Sequence, residues 1–173
     1  MGALYRLVRS AVPEWAVLRP SWFMQNFTGD HAVAHSLRAD REVVTATGDG
    51  RVAFVDADDI AAVAFRALTD PEPHDAEHVI TGPEALSYAD AAATIARVTG
   101  LPVRHRAVDV PELVDRLDAA GVPRAFAAVL AGLDEDIRRG AEDRVTDTVA
   151  RVTGRPARSF AEHVAAHREV FAA

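Results

Sequence analysis

Apolar and polar positions follow two periods along this chain, and each period predicts an element type. Leu4, Leu7, Val8 and Val12 recur at helical spacing, and Pro13 stops that helix. Trp15-Ala16-Val17-Leu18 is an unbroken apolar run before Arg19-Pro20, the pattern of a buried parallel strand. Ser21 is placed to cap a short aromatic helix through Asn26. The β-rich runs Arg41 to Ala46 and Arg51 to Val55 flank Gly48-Asp49-Gly50, and the Asp-Gly pair predicts a hairpin between them.

Asp56, Asp58 and Asp59 precede a predicted helix from Ile60 to Leu68, where acids suit the positive end of the dipole. His78 to Ile80 reads as a strand that runs into the turn Thr81-Gly82-Pro83. Ser87 opens a helix that Gly100 ends, and Leu101 to Val108 is a further strand. Pro111 starts a helix to Ala120, and Pro123 a longer one to about Gly140. A last helix follows Ser159, with Phe160, Val164, His167 and Phe171 on one face. The strands are too few for a complete doubly wound sheet, which needs about five or six in parallel. No repeat or long linker interrupts the pattern, so residues 1–173 are expected to form a single α/β domain.

Composition narrows the partners. Apolar residues make up 49% of the 173, enough for a folded core. A net charge of -7 argues against nucleic acid. No run approaches the ~20 apolar residues of a membrane helix. Met1 to Ser10 lacks an apolar signal region, which points to the cytoplasm. With no cysteine there are no disulfides, thiol nucleophiles or thiolate metal sites.

Several ordered segments carry a family resemblance. They are Trp15-Ala-Val-Leu-Arg-Pro-Ser-Trp-Phe-Met-Gln-Asn-Phe27, Phe54-Val-Asp-Ala-Asp-Asp-Ile-Ala-Ala62, and His78-Val-Ile-Thr-Gly-Pro-Glu-Ala-Leu-Ser-Tyr-Ala-Asp90. Leu101-Pro-Val-Arg-His105, Val145-Thr-Asp147 and Thr153-Gly-Arg-Pro-Ala-Arg-Ser-Phe-Ala-Glu162 complete the set. Together they resemble the NmrA-like atypical short-chain dehydrogenase/reductases. The resemblance implies a partial Rossmann-like sheet with a C-terminal helical substrate lobe. It implies NADP as the family's cofactor, and either hydride transfer to quinones and other conjugated carbonyls or dinucleotide sensing.

One part of that pattern is missing. The family's G-x-x-G-x-x-G loop, whose backbone N–H groups approach a pyrophosphate, has no counterpart here. At about 30 residues per βαβ unit the shortfall is on the order of a hundred residues. A natural short form, a start placed too late, or a second chain supplying the rest would each account for it. The chain is therefore expected to be the substrate-binding portion and to bind no dinucleotide alone.

The best substrate-site candidates are Ser21, Trp22, Phe23 and Asn26, which follow a strand's carboxyl end. In the family the backbone near Pro20 approaches the nicotinamide, so Pro20 would touch cofactor if the missing half were supplied. Core packing is the competing explanation for Trp22 and Phe23. Tyr5 and Arg9 superficially match a Tyr-x-x-x-Lys pair, but Tyr5 lies too close to Arg19-Pro20, and Arg replaces Lys poorly. They read as structural. His31 and His35, and His163 and His167, have zinc-binding spacing but no third ligand, and read as surface or half-buried helix faces. Asp30-His31 is a weak acid/base alternative. Gly82 could mark close backbone approach to a ligand, although the turn alone accounts for it. Arg138, Arg139 and Arg144 read as a solvated face.

Three functions fit. The first is the substrate-binding portion of an NAD(P)H-dependent oxidoreductase. The second is a stand-alone enzyme for a cofactor-independent isomerisation or cyclisation, and the third a non-catalytic binding protein. An unpaired edge at Trp15 to Leu18 predicts a homodimer, or a partner chain supplying the missing half.

Overall fold

A computed structural model describes the backbone of residues 3–172 and the side chains of residues 6–171. The side chains of Leu4 and Tyr5 therefore lie outside the described residues. The architecture is α/β. Helix α1 (Ala3–Ala11) leads into β1 (Ala16–Pro20), a 3-10 helix (Met24–Phe27), α2 (Ala32–Asp40), β2 (Glu42–Thr45) and β3 (Arg51–Val52). Then come α3 (Ala57–Thr69), β4 (Ala76–Ile80), β5 (Leu86–Ser87), α4 (Tyr88–Thr99) and β6 (Arg104–Ala107). The chain ends in α5 (Val110–Ala119), α6 (Arg124–Arg138), α7 (Thr148–Thr153), α8 (Phe160–Ala166) and α9 (Arg168–Ala172).

Local sequence chemistry accounts for most helix ends. Ser87 and Ser159 each accept from a backbone N–H three residues on, while Asp90 and Glu162 accept from the cap N–H in return. Asp56 caps α3 and Asp109 caps α5. Gly100 closes α4 in the left-handed region, where a side chain would be strained.

Strand pairing departs from the sequence reading. β1 runs parallel to β4, with Val17 opposite Glu77. β2 runs parallel to β6, with Val43 opposite His105. β3 pairs antiparallel with β5. The expected hairpin between residues 41–46 and 51–55 is therefore absent. The type I′ turn that an Asp-Gly pair favours needs positive φ at both of its central residues, Asp and Gly. Neither Asp49 nor Gly50 has it; the positive φ of this turn is at Gly48. At Gly50 a Cβ would lie 2.4 Å from the Ile137 carbonyl, so the turn is pressed onto α6 and its arms pair elsewhere.

Two further expectations need correction. Ser21 caps nothing: the short helix is 3-10, begins at Met24, and has Phe23 as an N-cap without a side-chain bond. The final helix breaks at His167, whose ring N–H donates to the His163 carbonyl at 2.9 Å.

The main core joins Met24, Phe27, Phe54, Tyr88, Ile95 and Phe160. Phe27, Phe54, Tyr88 and Phe160 meet largely edge to face, with ring centroids 4.9–5.9 Å apart. A second cluster, including Leu113, Leu117, Ala127 and Ala131, joins the α5–α6 pair to Ala46. A third packs α3 and Val149 of α7 onto Val55 and Ile80. β1 is only half-buried, against the expectation of a buried strand, and its second edge pairs with no strand among the described residues. Leu7, Val12, Phe65 and Leu68 are exposed.

Candidate functional site

The segment after β1 is held on both sides. Ser21 N–H donates to the Ile80 carbonyl at 2.8 Å, and Val55 N–H donates to the Trp22 carbonyl at 2.9 Å. Met24 N–H returns to the Val55 carbonyl, also at 2.9 Å. These bonds fix the exit from the strand and turn residues 20–26 around an open cavity of about 330 Å³. Its lining is Pro20, Ser21, Trp22, Phe23, Asn26 and Glu142. All four residues singled out from the sequence thus meet at one cavity, together with Pro20.

The competing core explanation separates within this segment. Met24 and Phe27 are the buried apolar side chains of the segment, whereas Phe23 is 39% exposed at the rim. Trp22 is half-buried and packs against the core. Ser21 Oγ donates to Glu142 Oε2 over a long 3.4 Å. Glu142 had no sequence signal, because it follows α6 in a loop where no periodicity marks it. Two ring faces, a hydroxyl, an amide and a carboxylate can hold a flat organic molecule by stacking and a few polar bonds.

Behind the cavity lies a buried charge network. Asp56 and His163 are both fully buried, and His163 Nδ1–H donates to Asp56 at 2.8 Å. Asp56 also accepts from Asp58 N–H at 2.9 Å, Arg158 at 3.1 Å and Gln25 at 3.2 Å. Burial pushes this carboxyl up, but the bonds from the Asp58 amide, His163 and Arg158 outweigh it and hold it below the usual range. Burial lowers the His163 pKa, so the ring is neutral at neutral pH. Gln25 also accepts from Ala57 N–H at 3.0 Å, tying the 3-10 helix that carries Asn26 to the start of α3.

His163 is therefore not on a surface or half-buried face, as its spacing from His167 suggests. Nor are Asp56 and Asp59 merely helix-start acids. Asp59 is fully buried, pairs with Arg155 at 2.8 Å and accepts Arg158 N–H at 2.7 Å. Asp30 pairs with His35, not His31, and His31 caps α2 by accepting Val33 N–H. Gly82 marks close approach to the Phe54 carbonyl, 1.9 Å from where its Cβ would lie, and not to a ligand. Arg138, Arg139 and Arg144 are exposed and pair with Glu135 or Glu142. Among the described residues no group of three or more His, Asp or Glu is arranged to hold a metal ion. No helix among them is long and apolar enough to cross a membrane.

No glycine-rich strand-to-helix loop of the kind that cradles a dinucleotide pyrophosphate occurs among the described residues. Such a group needs free backbone N–H groups at a helix start. The first turns of α3, α4, α5 and α8 each carry an acid and a filled cap, whereas that of α6 carries neither. The Gly48–Gly50 loop is packed against α6 and lies between strands.

The profile of the NmrA-like family matches residues 6–166. An uncharacterized oxidoreductase, YesF, of Bacillus subtilis is 51% identical over 96% of this chain and 57% of its own. An NAD(P)H azoreductase of Xenophilus azovorans is 36% identical over the whole chain and 59% of its own. Among solved structures, the NADPH complex of an NADPH-dependent quinone oxidoreductase from Escherichia coli superposes with a TM-score of 0.81. It is 23% identical over 94% of this chain and 56% of its own, so the likeness is one of fold. The chain spans little more than half the length of these curated relatives.

Proposed function

The chain belongs to the NmrA-like family, and on that premise we propose that it is the substrate-binding portion of an NAD(P)H-dependent oxidoreductase acting on a small, flat organic molecule. The observation that carries this reading is the convergence of Pro20, Ser21, Trp22, Phe23 and Asn26 on one cavity at the carboxyl end of β1. Trp22 and Phe23 supply the flat faces. Ser21, Asn26 and Glu142 supply the polar contacts that orient the substrate. A cytoplasmic setting belongs to the same proposal, and the lack of cysteine suits it.

Hydride transfer in this reading needs a dinucleotide-binding half. The chain alone is expected to bind NADPH weakly, because no glycine-rich loop in it presents several backbone N–H groups to a pyrophosphate. Calorimetric titration checks this, and a dissociation constant in the low micromolar range would contradict it. Without that half, the exposed edge of β1 and the apolar Leu7, Val12, Phe65 and Leu68 lie on surface that a second copy covers in a homodimer.

The decisive test is a chimera. The segment of the Bacillus subtilis relative that precedes the matched region is fused ahead of residue 6, and NADPH oxidation is followed with 1,4-naphthoquinone as acceptor. The expected result is quinone-dependent oxidation that falls at least about tenfold in kcat/KM with Trp22→Ala or Asn26→Ala. A folded chimera that binds NADPH but whose turnover ignores both substitutions would refute the site assignment.

A further inference from the structure

A second, smaller cavity of about 70 Å³ lies behind Trp22, which lines both. Its remaining walls are mostly apolar, including Val33, Val44, Leu113, Leu117 and Leu130. Two polar side chains are set into those walls. Tyr88 is 3% exposed and Asp134 is 8% exposed. Asp134 Oδ2 accepts Ala46 N–H at 2.7 Å. Its Oδ1 has no hydrogen-bond partner among the described residues, and neither does the Tyr88 hydroxyl. Both residues line this cavity.

Such atoms are costly to leave unmatched in an apolar setting. Asp134 is not a helix-surface acid that happens to be covered. It falls on the inner row of α6 with Ala127, Ala131 and Ile137, where packing alone would select an apolar residue. Burial raises its carboxyl pKa to about 6, so at neutral pH it is an ionised acceptor without a counter-charge. Of the other titratable wall residues, Tyr88 has its pKa raised by burial and by Asp134 and keeps its proton, and His31 has its pKa lowered by burial and by His35.

We propose that this inner cavity is a second subsite, which takes the N–H-bearing, preferably cationic, end of a flat aromatic ligand. The N–H donates to Asp134 Oδ1. The Tyr88 hydroxyl bonds the same end, and the Leu113, Leu117 and Trp22 side chains cover the ring. The space admits about two waters or the leading edge of one ring, so the rest of the ligand projects outward past Trp22. The proposal deepens the outer site's reading in one respect, since Trp22 would separate the two ends of one substrate.

The test uses three probes of one shape on the full chain: benzamidine, benzamide and benzoate, read by ligand-observed NMR. The expected order is cation above neutral above anion. Asp134→Asn keeps an acceptor for Ala46 N–H, and is expected to cost benzamidine about tenfold or more in affinity while leaving benzamide within about twofold. Tyr88→Phe, which removes only the hydroxyl, is the second variant and is expected to weaken both by a few-fold. Leu117→Phe, filling the cavity, is expected to abolish both. Circular dichroism confirms that each variant is folded. Failure of benzamidine to bind below about 10 mM, binding equal to benzoate, or affinity indifferent to Asp134→Asn and Tyr88→Phe would each overturn the proposal. Naphthoquinone titrated in the same samples reports the outer cavity. Loss of one response without the other therefore tells which reading has failed.

Discussion

Asp56→Asn tests whether the buried charge network fixes the site end of the fold. The carboxylate accepts four hydrogen bonds, from Asp58, Gln25, Arg158 and His163. Asn has the same shape, caps a helix about as well as Asp, and can still accept Asp58 N–H. Its amide nitrogen, however, replaces the oxygen that faces His163 and Arg158. His163 can move its proton to Nε2 and accept from the amide. Arg158 carries only donors, so it loses its bond to residue 56 and keeps only the exposed Asp58 as partner. A charge-assisted bond contributes about 1.5–3 kcal/mol, less where water screens it, and the Arg158 side chain is one-third exposed. With the weakened His163 contact, the expected cost is about 2–4 kcal/mol. That corresponds to a fall in Tm of roughly 4–16 °C for a domain of this size. Urea unfolding at neutral pH, followed by circular dichroism, measures it. Asp58→Asn is the control: that side chain is 72% exposed and its loss should cost no more than about 0.5 kcal/mol. An Asp56→Asn protein within about 1 kcal/mol of wild type, at unchanged m-value, would show that the network is incidental.

Other expectations follow from the same geometry. The His163 pKa is lower folded than unfolded, so the unfolded chain protonates first as pH falls below about 6.5 and stability declines. His31, His78 and His105 act in the same direction, while Asp134, raised to about 6, acts against them. His163→Gln should make the urea midpoint fall less steeply between about pH 6.5 and 5, and a steeper fall would contradict the assignment. Gly132 lies in α6 with nothing near its Cβ position, so Gly132→Ala should raise stability by about 0.5–1 kcal/mol in thermal melts. Gly82→Ala should cost at least about 3 kcal/mol or prevent folding, because its Cβ would meet the Phe54 carbonyl at 1.9 Å. In multi-angle light scattering the purified chain should be a dimer that Val17→Asp or Leu68→Glu dissociates or unfolds. A well-folded monomer at micromolar concentration would refute the pairing through β1.

Features set by short-range chemistry were legible in the sequence. Ser87 and Gly100 bound α4, Pro111 lies at the start of α5, and Asp56 stands at the start of α3, because caps and prolines act within one turn. The cavity residues were legible too, since Ser21, Trp22, Phe23 and Asn26 follow directly on one strand end. What the sequence could not decide was which distant segments meet. An Asp-Gly pair fixes a local bend, but β2 found its partner in β6 and β3 in β5, because the apolar faces they bury lie far apart in sequence. His163 lies 107 residues from Asp56, and the tertiary fold alone turns an i, i+4 histidine into the buried partner of a helix cap. Asp134 did carry a mark, an acid at an apolar position of α6's inner row. That mark acquires meaning only when Trp22, Tyr88 and Leu113 close around it, because a carboxylate's chemistry is set by the solvent its neighbours exclude.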